Sequence, residues 1–342
     1  MKRFFVFAAM MLGLASCQNE TNIFGVNVNT NEKAVEVTVT AVAPEVVTRV
    51  GEYTDSALSG IHNNVLDTHD LRFILEVYDA TGYNKSKERY YAKPVENEIR
   101  RAIFNPRLVP GREYRFVVWA DFVAKGSTTD LYYNTKELKE ITIVDDKWTA
   151  MVEARDAYTG VTKQVIETSG ENASVNVRLT RPFGKLRVIT TDVSTMSDFV
   201  ITPTYAKVTY TGVPKYSFNA VKQEYTKTGN EAKVHSVAGA ANEAFTIVSY
   251  GSNTTEKMAV YTDYFFAPEG SVVLGTFTMD VYDQNNAKIG DTVEFPTDIP
   301  VKRNILTTVE GNLLTTNTEF TVTATVFDDF DGEIDEDGNP FI

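Results

Sequence analysis

The chain has 342 residues, 43% of them hydrophobic and 11% aromatic, with a formal charge of −13 from 33 Lys and Arg against 46 Asp and Glu. That length exceeds what one core usually organises, so two domains are expected, and the composition excludes disorder over most of the chain. The negative surface repels phosphate backbones and so disfavours nucleic acid, while one cysteine and three histidines exclude an internal disulfide and a cysteine-based metal cluster.

The N-terminus is read first. Lys2 and Arg3 precede an apolar run of 11 residues, 4–14, too short to span a bilayer. It ends in Leu14-Ala15-Ser16-Cys17. Small residues before a cysteine resemble the lipobox of a bacterial lipoprotein signal peptide. The resemblance implies that residues 1–16 are removed and that Cys17 carries acyl chains, which give stable membrane anchoring. Gln18, where an aspartate would commonly retain a lipoprotein at the inner membrane, points to the outer membrane. Residues 17–33, rich in Asn and Thr, read as a flexible tether. No later stretch reaches 18 apolar residues.

The body of the chain reads as β-structure. Residues 34–40 alternate apolar and polar with period two, and 71–78, 114–120, 174–179 and 185–190 follow. Later runs are 207–211, 245–250, 258–266, 272–282 and 320–326. All are rich in Val, Ile, Thr, Tyr and Phe, and Gly, Pro, Asn and Asp punctuate them. Short strands with frequent turns predict antiparallel sandwiches. Helix signals are two: one turn at 195–199, and 95–103 behind Pro94. Leu75-Glu-Val-Tyr-Asp79 is echoed by Met279-Asp-Val-Tyr-Asp283, once per half. The expected division is an N-terminal sandwich over 34–192 and a C-terminal sandwich over 193–342 that ends in an acidic tail.

Chemistry-bearing motifs are few. The tail from Asp328 spaces its acids like a calcium loop, but counting from Asp329 puts Ile334 where Gly belongs and Pro340 where Glu belongs. It reads as a solvated tail. His62 and His69 lack a third ligand and read as surface residues, and His235 is isolated. There is no Gly-x-Ser-x-Gly elbow and no phosphate-binding glycine loop. No catalytic, cofactor or metal residue is assigned, and an enzyme is not expected. Trp119 lies in an alternating strand and reads as core. Trp148, beside Asp145, Asp146 and Lys147, reads as exposed and able to stack on a sugar.

Three segments carry a family resemblance: residues 110–121, Pro-Gly-Arg-Glu-Tyr-Arg-Phe-Val-Val-Trp-Ala-Asp; residues 181–188, Arg-Pro-Phe-Gly-Lys-Leu-Arg-Val; and residues 299–304, Ile-Pro-Val-Lys-Arg-Asn, running on to Gly311-Asn-Leu-Leu-Thr315. With the lipobox, the sequence resembles the Bacteroidetes fimbrillin-like (Mfa-type) surface lipoproteins, in a subgroup known only as domains of unknown function. The resemblance implies an all-β fold of two tandem transthyretin-like antiparallel sandwiches. It implies a lipid-anchored protein at the outer membrane, facing the cell surface. It also implies a subunit, anchor or tip of fimbriae that assembles with like copies by donor-strand exchange. In such proteins proteolysis removes a first strand, and a strand from the next subunit fills the groove.

On this sequence the candidate removable strand is 34–40, and Arg49 is the candidate processing site for an arginine-specific protease. The alternative is that 34–40 is a permanent edge strand and Arg49 a surface arginine. Asp55-Ser56-Ala57 and Asp291-Thr292-Val293 resemble an Asp-Ser/Thr-apolar O-glycosylation pattern, with Ser56 and Thr292 as acceptors. A second functional class is a monomeric outer-membrane lipoprotein that binds a glycan or a host protein.

Overall fold

The computed structural model describes residues 34–43, 65–96, 98, 100–167, 173–192, 203–238, 246–249, 256–268, 270, 272–315 and 320–326. They form strands joined by turns, in two sets of sheets, each around its own apolar core.

The first set pairs a four-stranded sheet with a three-stranded one. The larger sheet runs β10 (Ala157–Ile166), β7 (Arg112–Ala124), β3 (His69–Asp79), β4 (Lys85–Ala92), all antiparallel. The smaller runs β11 (Ser174–Arg178), β2 (Thr38–Val42), β5 (Arg101–Phe104), and β1 (Val35–Glu36) continues it by pairing with β6 (Arg107–Leu108). Phe73, Leu75, Phe116, Val118 and Tyr158 from the larger sheet share one core with Val39, Val175 and Val177 from the smaller. The middle of β3 is buried along its whole length, so its apolar run is nearly unbroken.

The second set has a five-stranded sheet, β15 (Thr246–Ser249), β16 (Glu256–Phe266), β12 (Phe183–Thr190), β21 (Ile305–Gly311), β22 (Phe320–Val326). Its partner sheet runs β14 (Glu224–Ala238), β13 (Pro203–Asn219), β18 (Phe277–Asp283), β19 (Lys288–Glu294). β12 is parallel to β21 and antiparallel to β16, so this strand at the end of the 34–192 span is held by strands from the 193–342 span. Short ladders join β8 (Tyr133–Asn134) to β9 (Thr142–Ile143) and β17 (Val272–Val273) to β20 (Pro300–Val301). The fold is all-β and built of β-sandwiches. Among the described residues no helix is long and apolar enough to cross a membrane.

The five-residue echo has a local cause. Asp79 and Asp283 each end a strand that turns back into the outermost strand of its sheet. Asp79 Oδ1 accepts from the Thr81 hydroxyl and the Tyr83 N–H; Asp283 Oδ1 accepts from the N–H groups of Asn285 and Ala287. Both aspartates hold a hairpin turn through side-chain acceptors.

Residues 145–156 stitch the two sets together through buried charge. They contain two short helical turns, Asp145–Lys147 and Glu153–Arg155. The fully buried Arg155 guanidinium donates to Asp263 at 2.5 Å and to the carbonyls of Thr149 and Tyr264 at 2.8 and 2.9 Å. Lys185 donates to both Glu153 carboxylate oxygens, and Oε2 also accepts from the Tyr264 hydroxyl at 2.6 Å. Arg181 donates to Asp156 at 2.9 Å. Burial, with the Glu153 charge adding to it, pushes the Tyr264 hydroxyl well above its ordinary range. Each of these buried charges thus has a hydrogen-bonded counter-ion, without which it would be strongly destabilising.

Three sequence expectations need correction. Residues 95–103 do not form a helix: Val95 bridges to Glu98, and the chain then enters β5, because 101–104 finds β2 as a partner. Trp148 is not exposed. Its indole is buried against Tyr210, His235 and Phe265 and donates to Asp263 at 3.3 Å. The run 272–282 is two strands rather than one, broken near Gly275, which sits at φ 74°. Trp119 is core, as expected. The turn expected at 195–199 lies outside the described residues.

Candidate assembly groove

The N-terminal strand occupies a slot inside the first sandwich. From residue 35 to 43 the apolar side chains fall on every second position, with Val42 the one exception. That period puts them on one face of a strand. Val37, Val39, Ala41 and Ala43 are buried; Thr38 and Val42 face outward. The inward four enter the core beside Ala102, Phe104, Leu108, Val175, Val177 and Leu179.

Its main chain is held on both sides. β2 pairs antiparallel with β5, Val39 opposite Phe104 and Val42 opposite Arg101. On the other side it runs parallel to β11, Thr38 opposite Ser174 and Arg178 opposite Val42. Bonds beyond the ladder extend the grip: Val37 N–H to the Pro106 carbonyl, Thr38 N–H to Ala173, Ala43 N–H to Arg100, and Leu179 N–H to the Val42 carbonyl, all at 2.9 Å. β2 is therefore a central strand. The edge-strand alternative for 34–40 is not what the structure has.

Withdrawing this strand would leave a defined gap. β5 and β11 would each present a row of unpaired backbone groups, and the row of pockets for Val37, Val39, Ala41 and Ala43 would open to water. Backbone groups left unpaired and apolar pockets left wet are both costly. Such a gap is also a template for another extended chain. The pockets are small and apolar, so the face they accept carries Val and Ala rather than large or charged groups. The gap's chemistry is recognition and packing, with no reacting group.

The other sequence-derived residues fall as follows. Cys17, Arg49, Ser56, His62 and the acidic tail from Asp328 lie outside the described residues. Thr292 is exposed on β19; its hydroxyl donates to Asp280 at 2.7 Å and accepts from Lys288 at 2.6 Å. His69 stacks on Tyr132, with Nε2 3.2 Å from its hydroxyl. His235 is buried, 3.7 Å from Asp263, and burial lowers its pKa. Among the described residues no three His, Cys, Asp or Glu side chains converge on one point. Of the groove walls, the sequence reading finds the strand at 174–179 but not its pairing, and misses β5. β5 has four residues and reads as the end of a helix, and nothing local marks 174–178 as a parallel partner of a strand more than a hundred residues earlier.

This is a β-sandwich protein whose first strand is an inserted, centrally held element. Residues 27–341 match the model of a family of unknown function, DUF6562, and the chain belongs to that family. No curated protein matches it. Among solved structures it is similar to three Bacteroidetes proteins. A candidate cell adhesion protein from Parabacteroides distasonis is 11% identical with a TM-score of 0.48, covering 86% of this chain and 97% of that one. A fimbrial assembly protein from the same species is 12% identical with a TM-score of 0.44, covering 87% and 98%. The tip fimbrial protein Mfa3 from Porphyromonas gingivalis is 11% identical with a TM-score of 0.44, covering 85% and 99%.

Proposed function

We propose that this protein is a fimbrillin-like adhesion lipoprotein that assembles with like subunits by exchange of its N-terminal strand. The observation that carries the reading is the central place of β2 between β5 and β11, with Val37, Val39, Ala41 and Ala43 filling the core between them. A strand held this way can be replaced by another strand of the same pattern, because main-chain bonds do not depend on sequence and the pockets ask only for small apolar groups. The chain carries a second such strand. Thr321-Val-Thr-Ala324 on β22 repeats Thr38-Val-Thr-Ala41, and β22 is the outermost strand of its sheet. In that register the repeat aligns Val322 with Val39 and Ala324 with Ala41.

The remaining parts of the reading follow. Residues 1–16 are a signal peptide, Cys17 carries the lipid, and 17–33 tether the fold to the outer membrane at the cell surface. The two units correspond to 34–192 and 193–342 except that β12, from the first span, lies in the sheet of the second, and the ion pairs around residues 145–156 join them. Cleavage after Arg49 frees the first strand. Ser56 and Thr292 accept glycans, and a Ser56→Ala, Thr292→Ala double variant loses any glycan mass.

The test uses protein beginning at residue 18, treated with an arginine-specific protease and run unboiled on a denaturing gel. Regular multiples with a new N-terminus after Arg49 support strand exchange. Absence of cleavage, or a cleaved species that stays monomeric, overturns it.

A further inference from the structure

Residues 145–150 cross from the first sandwich to the second as a strap. The strap is fixed upstream where the Val144 N–H donates to the Tyr132 carbonyl, and downstream where the Met151 N–H donates to the Thr262 carbonyl, both at 2.9 Å. Between these points the Lys147 and Thr149 N–H groups bond only to the local carbonyls of Val144 and Lys147. Asp145, Asp146 and Thr149 are exposed, and Trp148 is the only buried side chain of the six. Asp145 meets Lys215 at 2.8 Å, but its side chain is 84% exposed, and ion pairs so open to water contribute little. The Thr149 carbonyl accepts from Arg155 at 2.8 Å. Met151 closes the strap in left-handed backbone, φ 57°, a conformation that persists only where its surroundings enforce it. The space left beneath is about 30 Å3, room for one or two waters, so the strap lies shut.

Trp148 is therefore the pin, and what holds it is a carboxylate under competition. Asp263 Oδ1 is well supplied, by Arg155 at 2.5 Å and by the Tyr264 N–H at 2.8 Å. Oδ2 has only long contacts: the Trp148 indole N–H at 3.3 Å, the Tyr261 hydroxyl at 3.3 Å and His235 Nε2 at 3.7 Å. His235 Nε2 is buried and has no hydrogen-bond partner among the described residues. The His235 ring sits edge-on to the Trp148 indole, with centroids 5.4 Å apart. A buried, unpartnered imidazole nitrogen thus points at the oxygen that the pin uses.

A proton changes that balance. On Nε2 it makes His235 a charged donor that competes with the indole for Oδ2. It also sets a second cation beside Arg155 against one carboxylate in an enclosed space, which leaves a buried positive charge uncompensated. Lys233, 5.8 Å over the Trp148 ring, adds to the excess, and Glu231 opposes it. Tyr210 and Tyr261, held well above their ordinary range by burial, stay neutral. Lifting Trp148 lets water reach the imidazolium and relieves the conflict. We propose that residues 145–150 are an acid-released strap, with Trp148 as its pin and His235 as its proton sensor. Burial lowers the His235 pKa, so the closed strap holds it neutral at pH 7 and the open form takes up the proton first. Below the ordinary histidine value of about 6.5, each pH unit raises the open-to-closed ratio by up to about tenfold, until the closed form also protonates. The proposal goes beyond the assembly reading and holds whether or not the chains exchange strands.

The test is hydrogen–deuterium exchange of the chain from residue 18 to 342 at pH 7.5 and pH 5.5, corrected for the intrinsic exchange rate. Mass spectrometry follows peptides covering 145–151, with 112–124 on β7 as the reference. Protection at 145–151 falls about three- to tenfold at pH 5.5 while the reference holds. In His235→Gln the two pH values give the same protection. Trp148→Phe, which lacks the indole donor, has low protection at 145–151 already at pH 7.5. A second readout does not depend on whether His235→Gln folds: in a Trp119→Phe variant, acrylamide quenches Trp148 more strongly at pH 5.5 than at pH 7.5. Equal protection at the two pH values overturns the proposal. So does a pH effect that survives in folded His235→Gln, or an equal loss at 112–124, which would mean general loosening rather than a strap.

Discussion

Replacing Val39 by alanine isolates how much the inserted strand contributes. The change removes two methyl groups from a side chain with no exposed surface. At ~0.8 kcal/mol per buried carbon, lost transfer energy comes to about 1.6 kcal/mol. A residual void of roughly 40 Å3, at ~24 cal/mol per Å3, adds about 1 kcal/mol. The expected cost is about 2–3 kcal/mol, a large part of a stability of roughly 5–15 kcal/mol. Thr38→Val is the control. It keeps a β-branched side chain of the same shape on the outward face, and surface changes of this kind cost about 0.5 kcal/mol or less. Urea unfolding followed by tryptophan fluorescence in a Trp148→Phe background reads the correct core, because Trp119 shares a core with Val39. The midpoint shifts for Val39→Ala with its slope unchanged, and stays put for Thr38→Val. A cost below about 0.5 kcal/mol for Val39→Ala, or equal costs for the two variants, would refute the inserted register.

Other outcomes follow from the buried charges and the tight glycine. Asp263→Ala leaves the Arg155 guanidinium buried without its counter-ion, and urea unfolding should show a loss of about 3–5 kcal/mol; adding Arg155→Met should recover much of it, and a single-variant loss under about 1 kcal/mol would contradict the pairing. His235 has its pKa lowered by burial, with Arg155 and Lys233 lowering it further and Asp263 and Glu231 opposing, while Trp148 and Tyr210 pack against its ring. The unfolded state therefore takes up the proton first, and stability falls as pH drops from about 6.5 toward the folded value; His235→Gln should flatten that slope in melts across pH 7 to 5. Gly184→Ala would put a Cβ 2.4 Å from a Val301 methyl and 2.6 Å from the Lys302 carbonyl oxygen, and the forced shift should cost about 1–3 kcal/mol as a lowered thermal midpoint.

What the sequence reveals here is face, and what it hides is partner. Alternation in 34–40 declares which side chains turn inward, because pleating alone fixes that period, whereas 114–120 and 185–190 are buried on nearly every position and declare no face. β14 escapes notice for the converse reason: most of its length from Glu224 to Asn230 is exposed or half-exposed, so no apolar alternation is needed, and its order comes from pairing with β13. Trp148 is misjudged because its sequence neighbours are charged, while its indole is held by Asp263, 115 residues away. Lys185 and Asp263 stand in segments of ordinary strand character and Arg155 in a short helical turn, and only the fold brings them to their buried partners in a space that excludes water. The inserted strand joins the two kinds of information. Its inward face is written locally as Val, Val, Ala, Ala, but its central position depends on β5 and β11, which arrive later in the chain. A slot assembled by other parts of the chain is specific for pattern and indifferent to origin. That indifference is what the proposed strand exchange requires of the slot.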